Sequence, residues 1–419
     1  MRSSKHKKMP SYNFPEDVFA EILKRLPVKY VLRCGSVQKS WYNLIKTPIF
    51  ITLHTNHHKL LATRDSNNHP KYLFFLNMRD HLLTVRFDDV QCQEYGTLKY
   101  PLDLPNHAWY ALANGLVCVS SMFVDGDSRY YFNQHRNVLS HGPVPVSSLF
   151  NRTLHYDPSI HLWNPLVGKF RTLPDSPCMS FTSRETRCKG LAFGFLPEVN
   201  DYVVVHIVKP WSTYRSEADS HSVMIGVYSL NTNSWKKICQ DNVFIHRISS
   251  NDAVFVNGAA FWTGTRSLER YEPIVMCFDT KTDILREIRF PDWVEFWHSF
   301  PVRPFGQSIA FFSEGGDRNY LNMWVLKDDD PINEFYWENK MRGTLSENVR
   351  GKVLGVRNNG EPILSKFSNL ISYNLDKSKE YDFADSCDHR TPFSYYDEGC
   401  KPPLVITPFV ETLVFLDIN

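Results

Sequence analysis

A short apolar run followed by a polar turn decides the fold: VYSLNT at residues 227–232, continuing into SWK at residues 234–236. Asn231 and Thr232 are typical turn residues, and the runs on both sides favour extended backbone. Two short strands joined by such a turn predict a β-hairpin.

The same unit recurs along most of the chain. Copies occur as LTVRFD at 83–88, IHLWNP at 160–165, MCFDT at 276–280, MWVLKD at 323–328 and LISYNL at 370–375. Asn231, Asp279, Lys327 and Asn374 follow one another at 48, 48 and 47 residues. A period near 48 residues is typical of four-stranded kelch-type blades. The sequence therefore predicts an all-β C-terminal domain, a propeller of about six blades, with an irregular β-sandwich as the alternative.

Two intervals break the period, one before Asn164 and one before Asn231, and they contain polar insertions around residues 125–148 and 209–222. Segments that depart from a rigid repeating frame are where distinctive recognition is expected. Their aromatic and basic side chains belong to the types that dominate interface hot spots. The substrate-binding candidates are Tyr130, Tyr131, Arg136, Trp211 and Tyr214. The alternative is a pair of variable loops without a role.

Residues 14–51 differ in kind, because their apolar residues recur at helical spacing. Pro15 suits the first turn of a helix that Pro27 stops. A second helix is predicted from Val28 to Cys34, and a third is predicted to be capped by Ser36 and closed by Pro48. Such a small all-α unit leaves apolar surface for its own β domain or for a partner.

Composition limits the class of protein. A net charge of +2 over 419 residues provides no broad field for nucleic acid or membranes. The nine cysteines are scattered, with no CxxC pair, which predicts reduced thiols in a cytoplasmic or nuclear protein. No signal peptide or membrane-length apolar run is visible, so a soluble intracellular chain is expected.

Two parts of the chain resemble a plant family. FPEDVFAEILKRLPVK at 14–29, with Arg33 and VQKSWYNLI at 37–45, resembles the plant F-box motif. NGLVC at 114–118, LWNP at 162–165 and FGF at 193–195 look like the F-box-associated (kelch-like) domain, and the likeness persists to FVETLV at 409–414. The family includes the S-locus F-box-like group, one candidate branch for this chain.

The resemblance implies a function. In this family the F-box docks on a Skp-type adaptor that connects it to a cullin scaffold, and the β domain binds a target protein. The contact surface or its support would come from Pro15, Glu16, Val18, Ile22, Leu23, Leu26, Pro27, Leu32, Val37, Trp41 and Leu44. Tyr30, Cys34, Gly35 and Ser36 depart from the commoner residues of the motif.

The predicted organisation is a basic tail at 1–11, an F-box module at 12–52, a linker at 53–70 and the β domain at 71–419. We expect the propeller to close between residues 72–76 and residues 412–415.

An SCF-type receptor supplies proximity and needs no nucleophile, cofactor or metal of its own. Two alternatives stay open, a scaffold that does not direct degradation and a propeller enzyme such as a glycosidase. The carboxylate-rich runs at 314–317 and 328–330 lie among turn residues, and the His54, His57 and His58 cluster has no carboxylate or cysteine partner at ligand spacing.

Overall fold

The computed structural model describes residues 15–63, 71–77, 82–89, 91–99, 109–120, 159–178, 186–210, 222–245, 247–248, 253–266, 272–291, 302–314, 320–329, 334–345, 349–366, 369–374, 376–382 and 404–416. Within them, none of the helices has the length and apolar character needed to span a bilayer. The cysteines with described side chains are free, and Cys92, Cys118, Cys178 and Cys277 are buried.

The N-terminal module contains four helices, α1 (Glu16–Leu23), α2 (Val28–Gly35), α3 (Lys39–Ile45) and α4 (Pro48–Thr63). The first two lie where the sequence predicts them. Ser36 does not cap the third helix as predicted, because its hydroxyl donates to the carbonyl of Arg33 at the end of α2. Val37 is therefore outside both helices.

Helix α4 corrects the prediction of a linker from residue 53 onward. Pro48 follows α3 and is the first residue of α4. The first N–H groups of a helix have no partner within it, so the missing N–H of proline costs no hydrogen bond there. His54 and Thr55 of α4 are buried, so this stretch packs as part of the helical module. The spacing of His54, His57 and His58 is thus a helical spacing.

The described residues after α4 form six antiparallel sheets, which we number as blades in chain order. Blade 1 has β1 (Tyr72–Asn77), β2 (Leu82–Phe87), β3 (Glu94–Lys99) and β25 (Leu404–Phe409); blade 2 has β4 (Trp109–Ala113), β5 (Leu116–Ser120), β6 (Ile160–Asn164) and β7 (Lys169–Thr172); blade 3 has β8 (Thr186–Leu196), β9 (Asp201–Pro210), β10 (Val223–Ser229) and β11 (Ser234–Gln240). Blade 4 has β12 (Arg247–Ile248), β13 (Val254–Val256), β14 (Ala259–Thr265), β15 (Pro273–Asp279) and β16 (Ile284–Arg289); blade 5 has β17 (Arg303–Phe305), β18 (Ser308–Glu314), β19 (Tyr320–Asp329) and β20 (Glu334–Thr344); blade 6 has β21 (Val349–Val356), β22 (Pro362–Lys366), β23 (Asn369–Asn374) and β24 (Lys379–Asp382).

The six blades form a propeller. The innermost strands of successive blades contact one another around the axis, from β4 through β8, β13, β17 and β21 to β25. Apolar side chains of neighbouring blades pack between the sheets, and blades 3 and 4 share a buried cluster that includes Trp262 and Phe278. The predicted all-β propeller of about six blades is confirmed.

The recurring sequence unit corresponds to the third and fourth strands of each blade, counted outward from the axis, which in blade 1 are β2 and β3. In blades 2, 4 and 6 its Asn or Asp ends the third strand. This residue shapes the turn: Asn164 Oδ1 accepts from the N–H groups of Leu166 and Val167, and Asp279 Oδ1 accepts from that of Lys281. Asn and Asp side chains accept such bonds readily, which explains why they mark the period.

The closing strand is not the predicted one. Strand β25 pairs with β1, from Tyr72 opposite Phe409 to Asn77 opposite Leu404. Residues 412–415 follow this strand and run into a turn at residues 414–416. Closure by the C-terminal region is as expected, but the apolar run at 412–415 was wrongly assigned to the strand.

Candidate functional site

The outer side of the helical module exposes apolar side chains from the predicted set. Val18 and Ile22, one turn apart on α1, are 41% and 53% exposed, and Val37 is 73% exposed. A shallow groove along α1 is lined by Asp17, Val18, Glu21, Ile22, Arg25 and Leu26. Pro15 and Glu16 are also exposed at the start of α1. Grouped exposed apolar residues are typical of interaction sites.

Other predicted residues support this face from inside. Leu23 is buried, and Leu26, Leu32 and Leu44 are partly buried against the same core cluster. Trp41 of α3 lies against Phe19 of α1, with ring centroids 5.1 Å apart. The carbonyl of Pro27 accepts from the N–H groups of Tyr30 and Val31 at the start of α2. The predicted set therefore divides into exposed residues and residues that pack beneath them.

Four large exposed side chains on the described part of the module were not in the predicted set, namely Tyr30, Tyr42, Ile49 and Leu60. Tyr30 stands where the F-box motif more often has a small residue. Gly35 is another departure from the motif. It is buried where an added Cβ would press on Ile45, so its lack of a side chain lets α2 approach α3.

The charges on α1 are local and exposed. Glu21 forms ion pairs with Lys24 and Arg25 at 2.6 and 3.7 Å. The hydrogen bond from Lys24 lowers the pKa of Glu21. Exposed pairs of this kind contribute little to stability, so their effect is mainly on the charge pattern of the groove.

The core of the module is completed by a residue from the far end of the chain. Leu413 is fully buried in one cluster with Leu23, Val28, Val31, Ile45, Phe50 and Ile51. No local pattern near Leu413 indicates this contact, since it lies in a short apolar run that also fits a strand. Sequence reasoning missed it for that reason.

Glu411 joins α2 to the propeller. Its carboxyl group accepts from the backbone N–H of Val28, at 3.2 Å, and from the hydroxyl of Tyr95 on β3, at 3.0 Å. Val28 is the first residue of α2, where the helix has free N–H groups and a positive end that favours a carboxylate. Burial raises the pKa of Glu411, although both hydrogen bonds oppose the shift.

Thr412 adds contacts on both sides of the same seam. Its hydroxyl lies 3.0 Å from that of Thr55 on α4. Asn164, at the end of β6, donates its amide to the carbonyls of Thr412 and Val414 at 2.9 and 2.7 Å. Residues 411–414 are thus bonded to both the helices and blades 1 and 2.

His54 and His58 provide hydrogen-bond donors for a backbone carbonyl in the turn between α1 and α2. Their Nε2 atoms donate to the carbonyl of Leu26, at 2.9 and 3.2 Å, and their rings stack. Burial lowers the pKa of His54 to about 3, and the neighbouring His58 adds to the shift. These histidines serve helix packing, and no group of three metal-binding side chains occurs among residues whose positions are described.

The five substrate-binding candidates, Tyr130, Tyr131, Arg136, Trp211 and Tyr214, lie outside the described residues. The strand ends that carry the two insertions are described. One insertion joins Ser120 of β5 to β6, and the other joins Pro210 of β9 to β10, so both connect the second and third strands of adjacent blades.

The helices pack at the opposite ends of these blades. Leu166, in the turn after β6, packs on the module core, and the Lys59 ammonium lies 3.3 Å from the ring centroid of Phe195 near the end of β8. Strand β5 runs from this end, at Leu116, to Ser120, and β9 likewise runs from Asp201 to Pro210. Both insertions therefore emerge from the propeller face remote from the helices.

Two serine–histidine pairs resemble parts of a hydrolytic site. Ser176 Oγ lies 2.9 Å from His206 Nδ1, but both side chains are buried. Ser159 Oγ lies 2.8 Å from His161 Nε2, and the other ring nitrogen contacts the hydroxyl of Thr172, where a hydrolase triad has a carboxylate. Neither pair matches the geometry of a catalytic triad.

The fold and the exposed helical face define a class of protein, a β-propeller that has a small helical interaction module at its N-terminus. Comparison with known families gives two matches. Residues 12–53 match the F-box domain, and residues 71–379 match the F-box associated beta propeller domain. The chain belongs to the F-box proteins with an F-box associated propeller.

Similar proteins occur in Arabidopsis thaliana. F-box protein At1g47340 is 25% identical over 85% of this chain and 70% of its own length. Putative F-box protein At1g30920 is 23% identical over 87% of this chain and 85% of its own length. F-box/kelch-repeat protein At3g23880 is 22% identical over 67% of this chain and 66% of its own length.

Among solved structures, the SapL1 lectin bound to alpha methyl fucoside is 9% identical and covers 76% of this chain and 97% of its own, with a TM-score of 0.35. Puromycin hydrolase is 9% identical and covers 68% of this chain and 41% of its own, with a TM-score of 0.34. Likenesses this weak give no information on activity.

Proposed function

We propose that this protein is the substrate-recognition subunit of an SCF-type cullin ubiquitin ligase in the cytoplasm or nucleus. In this proposal the F-box binds a Skp-type adaptor and the propeller binds a target protein. The observation that supports it best is the division of the helical module, whose inner side is bonded to the propeller while Val18 and Ile22 remain exposed.

A receptor of this kind contributes position. It holds a target lysine near a conjugating enzyme, so that transfer becomes effectively intramolecular. The rigid propeller separates the two tasks, since the adaptor face lies with the helices and the two insertions leave the remote face. The candidates Trp211, Tyr214, Tyr130, Tyr131 and Arg136 belong to those insertions and are proposed to contact the target.

Adaptor binding is tested by replacing Val18 and Ile22 together with alanine in the full chain. Burying one such side chain at an interface stabilises a complex by about 1.5–3 kcal/mol, so the double change should weaken adaptor affinity about a hundredfold or more. The affinity of purified protein for a Skp-type adaptor is the measurement.

Val199→Ala is the matched control, because Val199 is an exposed valine in the turn after β8 on the propeller. This variant should bind the adaptor like the parent. Equal affinity of the Val18/Ile22 variant and the control, with both proteins folded, would refute the assigned face.

A scaffold F-box protein is the second candidate, since the two roles share the same adaptor face. The half-life of a captured partner separates them. A partner of a ligase receptor should accumulate after proteasome inhibition and after the Val18/Ile22 double substitution. A partner whose half-life is unchanged by both treatments indicates the scaffold role.

A further inference from the structure

A segment that is not part of the F-box joins the helical module to the propeller. Residues Glu411, Thr412 and Leu413, here termed the seam segment, follow the closing strand β25. Leu413 enters the module core, Glu411 bonds the start of α2, and Thr412 bonds α4. Glu411 is also joined to blade 1 through Tyr95, and Thr412 is joined to blade 2 through Asn164.

This arrangement restricts the module at three separate points. The bonds reach α2, α4 and the helical core, so rotation of the module about any one of them strains the other two. Glu411 is the member that bridges both bodies with a single side chain, since one oxygen faces Val28 and the other faces Tyr95. A hydrogen bond to a charged group is stronger than an ordinary one.

We propose that the seam segment fixes the orientation of the F-box relative to the propeller, and that Glu411 is a positioning residue for ubiquitin transfer. The positioning role rests on the proposed ligase function, whereas the fixed orientation does not. Transfer within a complex depends on effective concentration and alignment. A fixed module presents one set of lysines to the conjugating enzyme, and a loosened module presents a wider set at a lower rate.

The orientation is measured first in the free full-length protein. Fluorescent labels carried by unnatural amino acids at Asn56 of α4 and Gln307 of blade 5, both exposed, report the distance distribution between the module and the propeller. Amide hydrogen exchange at Val28 reports the bond to Glu411. Glu411→Ala should broaden the distance distribution and raise exchange at Val28 about tenfold, because a local hydrogen bond is lost.

Two further variants distinguish positioning from general destabilisation. Glu411→Gln keeps a carbonyl oxygen for Val28 and should restore the parental distribution. Glu361→Ala is the matched control, because Glu361 is a carboxylate bonded to Ser372 and Asn374 within blade 6. It should leave the distance distribution and Val28 exchange unchanged. Thr55→Val, which removes the hydroxyl bond to Thr412, gives a smaller broadening and serves if Glu411→Ala does not fold.

The consequence for transfer is read in a reconstituted ligase without added target, where the propeller's own lysines are the acceptors. Glu411→Ala should modify more lysine positions than the parent, each more slowly, with adaptor affinity unchanged. A parental distance distribution in Glu411→Ala and Thr55→Val, or the same broadening in Glu361→Ala, would overturn the seam segment's role. Failure of the parent to bind any Skp-type adaptor would refute the ligase proposal, and the distance measurements would still decide the orientation.

Discussion

Gly115 shows how a single residue links the hairpins to the seam. It forms the turn between β4 and β5 together with Asn114, and both residues have positive φ, +82° and +42°. A two-residue hairpin of this kind needs left-handed backbone at both positions, which explains the Asn-Gly pair. An added Cβ at Gly115 would also collide with the carbonyl oxygen of Val410 and the side chain of Thr412.

We therefore expect Gly115→Ala to destabilise the protein by about 3 kcal/mol or more, from backbone strain and from the collision. Gly168→Ala is the control, because Gly168 has a φ of +72° and no neighbouring atom within 4 Å of an added Cβ. Strain alone should destabilise it by about 1–2 kcal/mol. Chemical denaturation gives both values, and equal losses would show that the seam tolerates the extra methyl group.

Glu411 should also make stability depend on pH. Its pKa in the folded protein is raised above the usual 4.5, mainly by burial. The stability that such a group contributes is fully present below its unfolded pKa and is lost as the pH rises through the folded pKa. Glu411→Gln lacks this loss, so its melting temperature should rise relative to the parent as the pH increases above the ordinary pKa of a glutamate, about 4.3.

His54 changes the stability with pH in the opposite direction, and it does so in both the parent and the Glu411→Gln variant. Its pKa is lowered from 6.5 to about 3, so its contribution is present above pH 6.5 and is lost as the pH falls towards 3. At each pH, the parental melting temperature is subtracted from that of Glu411→Gln, and this difference removes the contribution of His54. A difference in melting temperature that does not change with pH would mean that the Glu411 carboxyl titrates alike in the folded and unfolded states.

At the scale of elements, β25 and the seam segment have separate tasks. Strand β25 completes blade 1 and removes the open edge that β1 would otherwise expose. The seam segment lies beyond that strand and holds the helices. A chain ending at residue 410 should keep a closed propeller and lose protection of α2 and α4 in hydrogen exchange.

A chain ending at residue 403 lacks β25 as well, and we expect it to aggregate or to melt well below the shorter deletion. Thermal unfolding and exchange of the two truncated proteins are the measurements. Equal melting temperatures would contradict closure by β25. Unchanged protection of α2 in the chain ending at 410 would contradict the role of the seam segment.

On the scale of the whole molecule, the proposed adaptor-binding and target-binding surfaces lie on opposite faces. Replacing residues 121–158 and 211–221 with short Gly/Ser linkers should leave adaptor binding intact, because the replaced segments leave the face remote from the helices. Target ubiquitination should fall to the background rate. In vitro ubiquitination of an identified target measures this, and full activity would place the target-binding surface elsewhere on the propeller.

Much of this architecture could be predicted because it has a local cause. The 48-residue period reflects one strand–turn–strand unit that recurs in the blades, and in blades 2, 4 and 6 an Asn or Asp ends its first strand. Helices α1 and α2 likewise follow from apolar spacing and flanking prolines. These patterns act over a few residues, so they are visible in the sequence.

Three features were decided only by the tertiary structure. The apolar run at 412–415 is compatible with a strand or a buried turn, and packing placed Leu413 among the helices. Residues 53–63 are helical because α4 packs His54 and Thr55 inside the module. Glu411 bonds groups 383 and 316 residues away in the chain. Periodicity carries no information about such partners, because it specifies which residues share a face and not which faces meet.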